Sequence, residues 1–244
     1  MADFELTYKP FGERSILIEW PNRIDENILK DILSFKQIIE KELFKCIIEV
    51  NHAYNSILIV YNDLLKYYES KISELKNIYI SRRGDIYYAS TLWKIPVCYD
   101  QSFGIDSEEI IEAKNIDLEQ LIELHSNTLY TVYFIGFLPG FLYLGGLNEQ
   151  LFFPRKSKPK LTVKKGSVAI GESQTGIYPN DSPGGWNIIG NSPINLFNAS
   201  QKIPCFIKGG DKIQFYPISL KEHLEAIKLI KNNSFQIESE VING

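Results

Sequence analysis

The sequence predicts an α+β chain of two domains, a small N-terminal α/β domain at 1–85 and a β-rich domain at 86–244. Three observations lead there. The early part of the chain alternates apolar strands with amphipathic helical stretches. Past His125 almost every apolar run is short and bounded by Gly, Pro or Asn. Between the two regions, Ser81-Arg82-Arg83-Gly84-Asp85 has the composition of a linker.

In the first domain "RSILIEW" (Arg14–Trp20) reads as a strand closed by Pro21. Asp25 then stands as N-cap to a helix in which Ile28, Ile32, Phe35, Ile39 and Leu43 recur at helical spacing. Two strands follow, Phe44–Val50 and Ser56–Tyr61, joined by the turn-prone Asn51–Asn55. "LLKYYESKISELKNI" restores a helical period with charge on its outer face. The resulting β-α-β-β-α order suits an open sheet with helices on one face.

The second domain opens with the strand "LWKIPVCY" and two short helices, for which Asp106 and Asp117 are placed as N-caps. His125 ends the second helix, where the helix terminus favours its protonated form; capping, packing and acid/base work are its possible roles. Next come an aromatic strand, Tyr130–Phe137, and a type II turn at Leu138-Pro139-Gly140-Phe141, with Gly140 supplying the positive φ. "KGGDK" (Lys208–Lys212) reads as a hairpin turn before the strand "KIQFYPI", and "KEHLEAIKLIKNN" as a last helix. Such a string of short strands makes a closed barrel or a sandwich.

Composition narrows the function. A net charge of −4 argues against a general nucleic-acid binder. The cysteines, Cys46, Cys98 and Cys205, are far apart and no Cys/His cluster exists, so neither a disulfide framework nor a metal site is expected. A reducing cytoplasm fits this usage, and the N-terminal "MADFELTYKPFGER" lacks a signal-peptide pattern. Ser126 to Asn148 is uncharged and long enough to span a bilayer. Pro139-Gly140 and Gly145-Gly146 break it, which marks it as a soluble segment. No phosphate loop, dinucleotide fingerprint, HExxH or GxSxG elbow is present.

Two segments hold the candidate site. "YFIGFLPGFLYLGGLNEQLFFPR" sets rings beside glycines, either to fill a barrel or to wall a ligand. "GESQTGIYPNDSPGGWNIIGNSP" intersperses Gln174, Thr175 and Tyr178 with turn residues. Its Gly184-Gly185 pair offers backbone N–H groups for an anion nest, the alternative being a long turn plugged by Trp186. Between them lie six basic residues from Arg155 to Lys165, either a solvated face or, at Arg155 behind Pro154, a phosphate or carboxylate contact.

"YTVYFIGFLPGFLYLGGL", "PRKSKPKLTVKKGSVAI" and "QTGIYP…SPGGWNIIGNSP" resemble the allophanate hydrolase subunit 1 family, which includes the B subunit of bacterial ATP-dependent 5-oxoprolinase and the kinase inhibitor KipI. The pattern is most similar to the oxoprolinase member, and "IPVCYD" and "GDKIQFYPI" extend the likeness along the chain. The resemblance implies a cyclophilin-like β-barrel after the N-terminal domain, and a cytoplasmic hetero-oligomer in which ATP with magnesium acts at the level of the complex. The implied partners are a second barrel subunit of the C type, together with a lactam-utilisation subunit of the A type. Phe137, Pro139, Gly140, Arg155, Thr175, Gly176, Tyr178, Pro183, Gly184, Gly185 and Trp186 fall on the family's groove motifs, joined here by Phe141. His125 falls on the histidine before its first barrel strand. The catalytic set expected on this basis is His125, Arg155, Gln174 and Thr175, with no metal ligand. Lys160 and Asn191 stand where the family commonly has arginine, which leaves Arg155 as the stronger anion contact. The expected activity is opening of 5-oxoproline to glutamate with partner subunits. A KipI-like kinase inhibitor and a carboxyltransferase-type component of a biotin-dependent urea system are the alternatives.

Overall fold

The structure, a computed structural model, describes residues 4–82 and 89–243. The chain divides into two compact units, the second spanning Ala89–Asn243, each around its own core. Residues 83–85 of the expected linker, and the 85/86 boundary, lie outside the described residues.

The first unit runs β1 (Thr7–Phe11), β2 (Ser15–Glu19), α1 (Glu26–Glu42), β3 (Ile47–His52), β4 (Ser56–Tyr61) and α2 (Tyr68–Ser81). Its antiparallel sheet has the order β1-β2-β4-β3. The expected β-α-β-β-α order therefore gains a leading strand. "TYKPF" carries Lys9 and Pro10, which weaken a strand signal but are tolerated on an edge. Asp25 caps α1, accepting from the Asn27 N–H at 2.7 Å. The helix buries Ile28, Ile32, Phe35 and Ile39 in one core with Ile16 and Ile18 of β2 and Ile57 and Ile59 of β4. Each such side chain contributes roughly 1.5–3 kcal/mol on leaving water.

Arg82 is not linker. Its buried guanidinium donates to Asp31 Oδ1 at 2.8 Å and lies 3.3 Å from the Tyr79 ring centroid. Asp31 Oδ2 also accepts from Trp20 Nε1 at 2.8 Å and from the Tyr79 hydroxyl at 2.7 Å. The carboxylate is thus paired and hydrogen-bonded, the condition for keeping charge in a core.

The second unit runs β5 (Ala89–Val97), α3 (Ser107–Lys114), α4 (Leu118–Ser126), β6 (Leu129–Ile135), β7 (Leu142–Gly145), β8 (Lys160–Val163), β9 (Ser167–Gly171), β10 (Gln174–Ile177), β11 (Ser182–Gly184), β12 (Asn187–Asn191), β13 (Lys212–Pro217), α5 (Leu220–Lys231) and β14 (Ser239–Asn243). Eight strands form one sheet in the order β12-β9-β10-β7-β6-β13-β5-β14, and β8 pairs with β11 in a separate ribbon. Just past β5, Cys98 exchanges backbone hydrogen bonds with Asn191 of β12 at 2.8 and 2.9 Å. The α+β class holds. The "KGGDK" turn forms, with Gly210 at φ +89°, but not as a hairpin: β13 pairs in parallel with β5 and antiparallel with β6.

Alternation along the strands builds two apolar layers. Leu142, Leu144, Val168, Ile170, Ile177 and Ile189 face the main core. Phe141, Ala169, Tyr178, Trp186 and Ile188 join Val163 of β8 in a smaller cluster with Tyr143 packed against it. That second layer carries the candidate site.

Candidate functional site

The two glycine-aromatic segments meet. Phe141 and Trp186, 45 residues apart in sequence, pack edge to face with centroids 5.4 Å apart. Tyr178 and Tyr143 complete the cluster, at 5.2 and 5.0 Å from Phe141. The glycines make room for it. A Cβ on Gly171 would lie 2.6 Å from the Trp186 indole, and one on Gly176 would crowd both Phe141 and Trp186 at 3.2 Å. Gly184 is pressed against the Tyr178 ring in the same way. Rings stand beside glycines here for close packing first, with a wall at the rim of the cluster.

The rim is formed by the type II turn. Phe141 N donates to Leu138 O at 3.0 Å and Gly140 has φ +85°, as the Pro-Gly sequence requires. Pro139 is exposed, and Gly140 abuts Phe197, where a Cβ would come within 2.6 Å. Phe137 adopts φ +63°, a left-handed conformation that is strained for a bulky side chain, and is 63% exposed against Phe141.

Arg155 is held over this cluster from both sides. Asn187 Nδ2 donates to Pro154 O at 2.8 Å, and Lys156 N donates to Gly185 O at 2.7 Å. The guanidinium carbon stands 5.6 Å from the Trp186 ring, at cation–π range. Burial raises the Tyr143 and Tyr178 phenols, and Arg155 opposes the rise in both. Arg155 makes no ion pair among the described residues. Its neighbours do: Lys156 and Lys160 reach Asp106 at 3.2 and 3.0 Å, Lys156 also pairs with Glu109, and Lys164 pairs with Asp181. Half of the basic run is thus paired with carboxylates, and Arg155 is left available to an anion.

Several expectations are corrected. His125 is not protonated at a helix end. It is fully buried, and burial pushes it down to about 3. Thr175 Oγ1 donates to Ala169 O at 3.0 Å and so accepts from His125 Nε2 at 2.9 Å, leaving Nδ1 to accept from the Tyr99 hydroxyl at 2.7 Å. His125 also stacks on Phe215 at 4.7 Å. Both ring nitrogens are engaged and Thr175 is itself sealed off, so the pair pins β10 to the core and does not face the rim. Gly184 and Gly185 form no nest, because neither has positive φ and Gly184 lies in β11 beside the exposed Pro183. Asp106 occupies an N-cap position without capping. Its carboxylate instead accepts the Ile188 N–H at 2.8 Å as well as the two lysines. His223 of α5 bonds to Asn191 in the interior at 2.9 Å. Asn187 and Tyr143 escaped sequence reading altogether, since no local pattern marks their partners.

An open cavity of about 350 Å³ lies elsewhere, lined by Lys94, Ser126, Asn127, Gln214, Tyr216 and Glu238 above Phe215. It touches none of the expected site residues, and its lysine and glutamate pair with each other at 2.9 Å. The rim around Arg155 has the better chemistry: a cation with no carboxylate partner among the described residues, set on an aromatic wall. No group of metal ligands occurs among the described residues.

Fold and site together define a carboxyltransferase-type domain: the chain belongs to the family described as carboxyltransferase domain, subdomain C and D, matched over residues 6–207. Within it, the chain is 32% identical to the 5-oxoprolinase B subunit of Bacillus subtilis, over 87% of this chain and 92% of that protein. It is 33% identical to the 5-oxoprolinase B subunit of Haemophilus influenzae, over 84% and 95%. It is also 28% identical to the urea amidolyase of Lachancea kluyveri, over 97% of this chain but 14% of that protein. Among solved structures, TTHA0988 matches with a TM-score of 0.72 and 28% identity, over 84% of this chain and 40% of that one. The urea carboxylase of Kluyveromyces lactis matches with a TM-score of 0.83 at 20% identity, over 99% and 24%, which shows a shared fold. No helix among the described residues is long and apolar enough to cross a membrane.

Proposed function

We propose that this chain is the B subunit of an ATP-dependent 5-oxoprolinase, opening the lactam of 5-oxoproline to glutamate with partner subunits. The observation that carries the reading is the 32% identity to a protein of that name over 92% of its length. In the same reading the eight-stranded sheet closes as a cyclophilin-like barrel, for which the Cys98–Asn191 pairing is the support. The working protein is a cytoplasmic hetero-oligomer with subunits of the C and A types.

An unactivated lactam resists water; when bound, ATP with magnesium supplies the phosphoryl group that turns its oxygen into a leaving group. The sequence carries no phosphate loop, so the nucleotide is assigned to a partner or to a site completed by one. Arg155 fits an anion, being free of carboxylates among the described residues and flanked by backbone that Asn187 and Gly185 hold at Pro154 and Lys156. Its role is to hold the substrate carboxylate or the charge that develops at the lactam. Phe137, Phe141, Tyr178 and Trp186 wall the ring side, Pro139, Gly140, Gly176, Pro183, Gly184 and Gly185 shape the rim, and Gln174 orients substrate. His125 and Thr175 hold β10 in place beneath it.

The test is 5-oxoproline-dependent ATP hydrolysis by this chain alone and with its co-purified partners. Activity is expected only from the complete set, and absence of turnover there would sink the reading. Arg155→Ala is expected to lower turnover roughly 100-fold at an unchanged melting temperature; unaltered kinetics would remove Arg155 from the site. The family description favours a second reading, transfer of a carboxyl group in a biotin-dependent urea system. Met1 is the single methionine, so no Met-Lys biotin acceptor exists in this chain and a separate carrier would be needed. Carboxyl transfer from a biotinylated carrier to urea would support it.

A further inference from the structure

Gln174 is not explained by packing. It is 9% exposed, and its Oε1 is buried with no hydrogen-bond partner among the described residues. Thr175 reaches His125 and Ile177 faces the main core, so alternation along β10 puts Gln174 on the opposite face, with Gly176 and the aromatic cluster. Its register partner on β9 is Gly171. A Cβ on Gly171 would meet the pyrrole ring of Trp186 at 2.6–2.7 Å, Nε1 included, so that ring lies over the residue directly opposite Gln174. Opposed residues in an antiparallel pair hold their side chains within about 5 Å of each other. Arg155 stands at the same indole. One patch therefore brings together an amide acceptor, an N–H donor and a cation. Buried amide oxygens are normally satisfied, so the partner of this one is to be sought in a bound water or in a ligand.

We infer that Gln174 and Trp186 read the amide of a small carboxylated lactam: Gln174 Oε1 accepts the ligand N–H, Trp186 Nε1 donates to its carbonyl, and Arg155 takes its carboxylate. The inference rests on the function proposed above and adds the residue that sets specificity. A site built around an N–H acceptor rejects the isosteric ligand lacking that donor, because the acceptor is then left unpaired. The lactone counterpart of 5-oxoproline, with ring oxygen in place of N–H, is the direct probe.

The experiment compares the assembled complex carrying native chain or Gln174→Leu, measuring KM for 5-oxoproline, the inhibition constant of the lactone, and the melting temperature of the chain. Expected for Gln174→Leu is a KM at least about tenfold higher, a lactone constant that barely moves, and a melting temperature equal to or above native. Equal weakening of both ligands would make Gln174 merely structural and overturn the inference. A raised melting temperature with unchanged KM would do the same, showing an amide that no ligand uses. Should the native complex fail to turn over 5-oxoproline, the proposed function falls. Calorimetry of lactam against lactone on that complex then decides the present inference, which survives only if the lactam binds more tightly and Gln174→Leu removes the difference.

Discussion

His125 illustrates how burial outweighs a local electrostatic preference. A helix terminus offers a histidine at most about 2 kcal/mol, whereas full enclosure among Tyr99, Tyr130 and Phe215 pushes it down to about 3. In the unfolded chain the same group protonates near 6.5. Between those values the unfolded state binds the extra proton, so stability is intact above about 6.5 and falls as pH drops toward 3. Urea unfolding from about pH 7 to about pH 4 is expected to show a steeper loss for the native chain than for His125→Leu. Parallel slopes would mean that the ring is not held neutral. Asp31 makes a second case, since it anchors Arg82, Trp20 and Tyr79 at once. Asp31→Ala removes the carboxylate that pairs with the buried Arg82 guanidinium and should cost the first unit about 3–5 kcal/mol, read from denaturant midpoints.

At the scale of elements, the small residues of β9 and β10 decide where the rings lie. Gly171→Ala forces a methyl into the Trp186 indole. It is expected to cost about 1–3 kcal/mol and to shift the indole emission, and a silent variant would show that the ring moves freely. The segment 104–107 serves as a brace for the site. Asp106 binds the Ile188 N–H and both Lys156 and Lys160, so the start of α3 is tied to β12 and to the stretch that carries Arg155. Asp106→Ala should cost about 1–3 kcal/mol and weaken turnover of the assembled complex, while Asp106→Asn, which retains an acceptor for Ile188, should recover most of the stability. Equal losses from both would place the effect in the lysine pairs alone.

For the whole molecule, elements with strong local signals were readable and their assembly was not. Asp117 with Gln120 forms a capping box, Asp25 caps α1, and Pro139-Gly140 makes its turn, each written within about four residues of chain. The strand Ser56–Tyr61 and the periodicity of α1 were legible for the same reason: apolar spacing is a local property. The edge strands β1 and β14 were not, because Lys, Pro and polar residues dilute their alternation and only pairing to β2 and β5 defines them. Candidate site residues could be named from the motifs, yet their places divided only in three dimensions: Arg155 at the rim over Trp186, Gln174 buried on the aromatic face of β10, His125 and Thr175 bonded to each other on the other face. What the sequence by itself determined is the α+β composition, the caps at Asp25 and Asp117, the Pro139-Gly140 turn, and the kinship of the chain. Which of its charges stay free, which rings touch, and which histidine is neutral were decided by sheet order alone. Strand pairing brings together residues tens of positions apart, and burial and pairing energies depend on those neighbours rather than on the adjoining chain.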